Sequence, residues 1–215
     1  MEIVSLEQIG TEAVAFDAAA VLKSGGVILF PTDTLYGLGA DAFSDEAVGK
    51  IYAIKGRDEK KPIHAIVADI GMASEYGVID DTVKRLSEKL PKGKVTFVVK
   101  KQPHVQGGIA NGIDTFGFRI PDNEFCIAIA KAFGKPFTAT SGNIAGQKPE
   151  RTLASVLAQL GAAAQLIDIA FDAGDPPAGG AEPKPSSVVD VSGPELRILR
   201  EGAISAADIR RALAR

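Results

Sequence analysis

Apolar and polar positions along the chain follow two periods in turn. From Thr11 to Ser24, Ala, Val, Phe and Leu recur at helical spacing, and Gly25-Gly26 supplies the stop. Val27-Ile28-Leu29-Phe30 is then a continuous apolar run, the pattern of a strand buried on both faces. It breaks at Pro31 into polar Thr32-Asp33-Thr34, followed by Tyr36-Gly37-Leu38-Gly39. A helix is predicted from Ser44 to Lys55, with Ser44 as N-cap and Asp45 and Glu46 in its first turn. Further on, strands are predicted over 63–68, 95–99, 115–120, 136–140 and 166–171. An amphipathic helix is predicted over 80–90, and further helices over 124–133 (ended by Gly134) and 153–160. Strands over 187–191 and 196–199 and a helix over 205–214 close the chain. Residues 174 to 185 hold four Pro and three Gly, which marks a loop. Strands and helices interleave without an internal repeat. The expected fold is α/β: one domain over residues 1–215, with a mixed sheet flanked by helices.

Composition narrows the classes. At 215 residues, 46% hydrophobic and 24% charged, the chain has the make-up of a globular protein with a sizeable core. No Trp and three Tyr argue against an aromatic platform for single-stranded nucleic acid. A net charge of −3 provides no overall positive field, so any polyanion contact has to come from a local patch. The lone Cys126 sits in the apolar run Phe125-Cys126-Ile127-Ala128 and reads as a buried structural thiol. No signal-peptide pattern and no apolar run of membrane-spanning length is visible, so a cytoplasmic location is expected. Two His and one Cys make a zinc site of the usual ligand types improbable.

Most polar exceptions fall just after apolar strands, where open α/β sheets place their ligand crevice. Thr32 to Thr34 follows one such strand and Ser141-Gly142-Asn143 another. Arg119 differs, lying inside Phe116-Gly117-Phe118-Arg119-Ile120. Its plain reading is an edge-strand cation in water. The glycine and apolar flanks instead suggest a sheet face that something approaches closely. Lys55, Arg57, Lys60 and Lys61 form either a solvated helix end or a clamp for phosphate or carboxylate. No GxxxxGK[ST] loop is present, which excludes a P-loop enzyme, and no GxGxxG follows a strand. His64 and His104 read as isolated histidines.

Five ordered blocks together resemble the YrdC/TsaC family of threonylcarbamoyl-AMP synthases over nearly the whole chain. They are Pro31-Thr32-Asp33-Thr34-Leu35-Tyr36-Gly37-Leu38-Gly39, Lys55-Gly56-Arg57 with Ser141-Gly142-Asn143 far downstream, Gly117-Phe118-Arg119-Ile120-Pro121, Ser186-Ser187-Val188-Val189-Asp190, and Ile198-Leu199-Arg200-Glu201-Gly202-Ala203-Ile204. The resemblance implies an open twisted sheet whose concave face binds ATP and L-threonine. It implies threonine contacts from Thr34, Arg119 and Ser186, and ATP contacts from Arg57, Lys61, Thr115, Ser141, Asn143 and Arg200. Lys55 and Arg57 would be catalytic, with Lys55 and Asn143 near the phosphates and adjoining backbone. Some relatives carry a histidine nine residues after the motif arginine, where this chain has Ile66. His64 lies one strand repeat, ~6.8 Å, away on the same face and is not read as its replacement. The Glu182-Pro183-Lys184-Pro185 segment before Ser186 also departs from the pattern.

The reaction implied joins threonine, bicarbonate and ATP into threonylcarbamoyl-AMP and pyrophosphate. Mg²⁺ would ride on the triphosphate, and a transferase complex would pass the group on to tRNA. The 174–185 loop is expected to cover the site as a mobile lid. Two alternatives stand beside this reading. One is a carbamoyl-adenylate-forming domain. The other is a double-stranded RNA binder resting on Lys84, Arg85, Lys89, Lys92, Lys94, Lys100 and Lys101.

Overall fold

The apolar runs assemble into a single mixed sheet of ten strands among the described residues, which in this computed structural model are 1–6, 10–58, 61–174 and 184–214. In chain order the strands are β1 (Glu2–Ser5), β2 (Ile28–Pro31), β3 (Tyr36–Gly39), β4 (His64–Ile66), β5 (Val95–Lys100), β6 (Thr115–Arg119), β7 (Phe137–Ser141), β8 (Ile169–Asp172), β9 (Ser187–Asp190) and β10 (Arg197–Arg200). Across the sheet they run β1-β8-β2-β3-β7-β4-β6-β5-β9-β10. The β1–β8, β8–β2, β4–β6 and β5–β9 pairs are parallel and the rest antiparallel.

The helices are α1 (Thr11–Lys23), α2 (Asp45–Lys55), α3 (Ile70–Tyr76), α4 (Asp81–Lys89), α5 (Glu124–Phe133), α6 (Leu153–Leu160) and α7 (Ala206–Ala214). Local chemistry fixes their ends. Ser44, Asp80, Asn123 and Thr152 each accept a backbone N–H of the first turn, which satisfies a donor that the helix itself leaves orphaned. Gly134 closes α5 with φ +81°, a conformation that favours glycine.

Three elements were not evident from the pattern: β1, β3 and α3. β3 hides behind its two glycines, a residue depleted from strands. A Cβ at Gly37 would lie 3.0 Å from the Phe30 ring, and one at Gly39 would lie 2.9 Å from Ile28 Cγ1. Those glycines let β3 pass beneath the large side chains of β2. The strand expected over 166–171 starts later, at Ile169, because 161–166 winds into a 3₁₀ turn.

The sheet divides the core in two. On one face, α2, α4, α6 and α7 bury Ile51, Leu86, Val156 and Ile209 against Leu29, Leu38, Ala65, Phe97, Phe116, Phe118 and Val189. On the other, α1 and α5 pack on Ile28, Phe30, Ile66, Phe137, Ala139, Ile169 and Phe171. This second cluster reaches Ile66 on β4 and includes nothing from β6, β5, β9 or β10. Among the described residues, half of that face is left without a helix.

Candidate functional site

Strand alternation dictates what stands on the uncovered half. Phe116 and Phe118 of β6 and Phe97 and Val99 of β5 enter the first core, so Thr115, Gly117, Arg119, Thr96 and Val98 project to the opposite side. His64 of β4 lies beside Gly117: a Cβ there would stand 3.5 Å from His64 Cβ. The missing side chain opens a gap in the floor between His64 and Val98, the β5 residue paired with Gly117.

Arg119 is buried at the end of an internal strand, so the edge-strand reading does not hold. One Nη donates to Asp33 Oδ1 (2.8 Å) and to the Gly93 carbonyl (3.0 Å). Asp33 also faces the Lys94 ammonium at 3.4 Å. Arg119 Nε is buried with no hydrogen-bond partner, and so is Arg57 Nε. Buried donors are normally paired, so two orphaned guanidinium nitrogens on one face point toward an anionic or carbonyl-bearing ligand. Arg57 Nη2 donates to the Pro62 carbonyl at 3.1 Å. From the far side, Arg200 directs Nε and Nη2 at the Ser186 carbonyl (3.1 and 2.8 Å), and Ser186 Oγ meets Thr96 Oγ1 at 2.8 Å.

The electrostatics show that these groups share one field. The His64 imidazole is held far below its usual range, at about 3, first by burial and then by Arg119, Arg200 and Arg57. Arg200 is itself lowered, by burial and then by Arg119 and Arg57. Three guanidiniums therefore act on one neutral imidazole, with Asp33 as the carboxylate paired to one of them. Such a site attracts anions and leaves the imidazole uncharged.

Lys55 ends α2 fully buried, and its ammonium faces three acceptors: the Ser141 carbonyl, the Asn143 carbonyl (2.9 Å) and Asn143 Oδ1 (3.3 Å). Burial and then Arg57 lower its ordinary value to about 8. Asn143 Oδ1 also accepts from Ser141 Oγ (2.5 Å), while its Nδ2 donates to the Ile144 and Gln147 carbonyls (2.9 and 2.7 Å). The two signature segments are thus one bonded unit, in which Lys55 holds the 141–143 turn beside Arg57. Its three donors are taken by that turn, so the contact expected between Lys55 and a phosphate gives way to a contact with the backbone.

The remaining expected residues are Thr34, Thr115 and Lys61. Thr34 sits partly exposed in the turn after β2, its Oγ1 3.0 Å from Thr32 Oγ1. Thr115 is partly exposed at the start of β6, and Lys61 is exposed with its carbonyl accepting from Tyr52. Asp33, His64 and Thr96 were not assigned roles by sequence reasoning. The strand-face parity of His64 and Thr96 was the available signal, and Asp33 lay inside a recognised block. Residues 175–183, most of the expected lid and the Glu182-Pro183 part of the unusual segment, lie outside the described residues, as does Lys60.

Members of the basic run meet separate partners. Arg85 and Lys89 donate to the Leu213 and Ala212 carbonyls at the end of α7, Lys94 meets Asp33, and Lys101 donates to the Ala110 carbonyl. Among the described residues no group of three His, Cys, Asp or Glu is placed to hold a metal ion, and no helix is long and apolar enough to cross a membrane. Cys126 is buried, and burial raises its thiol.

The family model Sua5/YciO/YrdC, described as telomere recombination, matches residues 20–202. A threonylcarbamoyl-AMP synthase of Klebsiella pneumoniae is 34% identical over 86% of this chain and 95% of its own length. One of Bacillus subtilis is 33% identical over 87% of this chain but 53% of its own. Among solved structures, P. abyssi Sua5 complexed with L-threonine superposes with a TM-score of 0.86 at 26% identity. That match covers 99% of this chain and 61% of the P. abyssi protein, so the chain spans about three fifths of that relative.

Proposed function

Because the chain belongs to the Sua5/YciO/YrdC family, we propose that it is an L-threonylcarbamoyladenylate synthase, a nucleotidyltransferase using ATP, L-threonine and bicarbonate. The observation that carries this reading is the ring of Arg57, Arg119 and Arg200 on the uncovered face, with two buried Nε donors lacking partners. Threonine's amine and bicarbonate give a carbamate and water. The carbamate oxygen attacks the α-phosphorus of ATP, forming a new P–O bond as the bond to pyrophosphate breaks. Nucleophile and triphosphate are both anionic, so the protein's main work is to neutralise charge and hold the partners in line.

In this reading Arg119, fixed by Asp33 and the Gly93 carbonyl, receives the threonine carboxylate with Thr34 and Ser186. Arg57, Lys61, Thr115, Ser141, Asn143 and Arg200 receive ATP. Lys55 is a positioning residue, since its donors are occupied by the 141–143 turn. Mg²⁺ would be bound by the triphosphate and would supply further charge neutralisation there. The product would go to a transferase complex acting on tRNA in the cytoplasm. Pyrophosphate release is expected only when ATP, threonine and bicarbonate are all present. Equal release without threonine would refute the assignment. Serine, one methyl smaller, should be used roughly 10–200-fold less well.

A further inference from the structure

We propose that His64 is the base that takes a proton from the amino group of threonine before the carbamate forms, an inference that rests on the reaction assigned above. Among the described residues no hydrogen bond holds the imidazole. His64 is only partly exposed, and it borders the gap that Gly117 leaves in the sheet floor. It is also adjacent to Arg119, the residue placed at the threonine carboxylate. An α-amino group lies two bonds from that carboxylate carbon, so a threonine anchored on Arg119 holds its nitrogen close to Arg119, on the face where Gly117 leaves its gap.

The chemistry requires a free amine. An ammonium has no lone pair and cannot attack carbon. His64 accepts one proton, leaving R–NH2 and an imidazolium. The amine then adds to bicarbonate, giving R–NH–COO⁻ and water, and the imidazolium returns its proton to solvent. The other charged groups around His64 cannot serve: Arg119 from β6, Arg57 from the segment after α2 and Arg200 from β10 are cations. Asp33, with Lys94 behind it, is committed to Arg119.

The same surroundings link the base to substrate binding. In the free protein burial first, and then three guanidiniums, keep the imidazole from accepting a proton. When the triphosphate and the threonine carboxylate neutralise the guanidiniums, that part of the depression is relieved and the imidazole becomes more basic. The base is therefore stronger in the loaded site than in the free one.

Four measurements test this. In His64→Gln, which keeps a polar side chain but cannot take the proton, kcat should fall by roughly 10²–10⁴-fold. Calorimetric affinities for ATP and threonine should change little. Added imidazole should restore part of the rate in His64→Ala. In the wild-type chain, NMR titration of the two histidines under CO2-free conditions, assigned with His64→Gln, should show His64 neutral in the free protein. On adding ATP and threonine its titration should move up by at least about one pH unit. Wild-type kcat in His64→Gln, or a loss carried entirely by weaker threonine affinity, would overturn the proposal. If the variants fail to fold, the wild-type titration decides alone, and an unmoved His64 overturns it. Absence of pyrophosphate release from the wild-type chain would instead strike the functional reading beneath it.

Discussion

Two halves of one sheet face carry opposite chemistries. Over β8, β2, β3 and β7, beneath α1 and α5, the residues are Ile169, Phe171, Ile28, Phe30, Phe137 and Ala139. From His64 across β6, β5 and β9, where that helix layer ends, they are His64, Thr115, Gly117, Arg119, Thr96 and Ser186. The alternation is the same in both halves and only the cover differs. Apolar side chains can be buried by a helix at no polar cost. Three guanidiniums could not be, because unpaired buried charge is among the most expensive things a fold can contain. Most of the sheet's stability should therefore come from the first half, and its chemistry from the second.

That division can be broken at either side. The largest effect is expected in the covered half. Phe137 is fully buried and packs edge-on against Phe30 at 5.4 Å. Phe137→Ala should cost ~3–5 kcal/mol in denaturant unfolding, while kcat per folded molecule stays near wild type. A comparable loss of kcat without loss of stability would show that the halves are not separable. In the uncovered half the expectation reverses. Arg57→Lys keeps the charge but loses the planar fork, so kcat/KM should drop by roughly 10²–10³-fold with an unchanged unfolding midpoint. Wild-type activity in that variant would return the basic segment to a solvated helix end.

The smallest effect lies where the halves meet. Lys55 titrates at about 8 in the folded chain against an ordinary 10.5, so the folded state releases this proton first. Its charging penalty is present in full below pH 8 and disappears by 10.5, and the Lys55 contribution to stability therefore rises across that window. Activity should move the other way. As pH rises through about 8 the ammonium loses a donor to the 141–143 turn, and kcat/KM should fall by about tenfold per unit. Lys55→Met should abolish that limb at a lower plateau. An identical alkaline limb in the variant would assign it to another group.

Much of this was legible in the chain itself. The cap at Ser44, the stop at Gly134 and the apolar runs placed most elements to within a few residues, because caps and periodicity are local. The five motif blocks brought the candidate residues into view, since they are ordered along the chain and carry unusual polar groups after strands. The failures were equally physical. β3 was hidden because Gly37 and Gly39 are explained only by the Phe30 and Ile28 side chains above them. Lys55 was expected near the phosphates and the adjoining backbone, and its contact with the 141–143 turn could not be read locally because its acceptors, at Ser141 and Asn143, lie more than eighty residues away. His64 was read as an isolated histidine because its neighbours Arg119 and Arg200 come from distant strands. The sequence by itself determined which segments form helices and strands and which residues bear chemistry. Tertiary structure alone decided where the α1 and α5 cover ends, and thus which polar side chains converge, because pairing order and register join segments that have no local reason to meet.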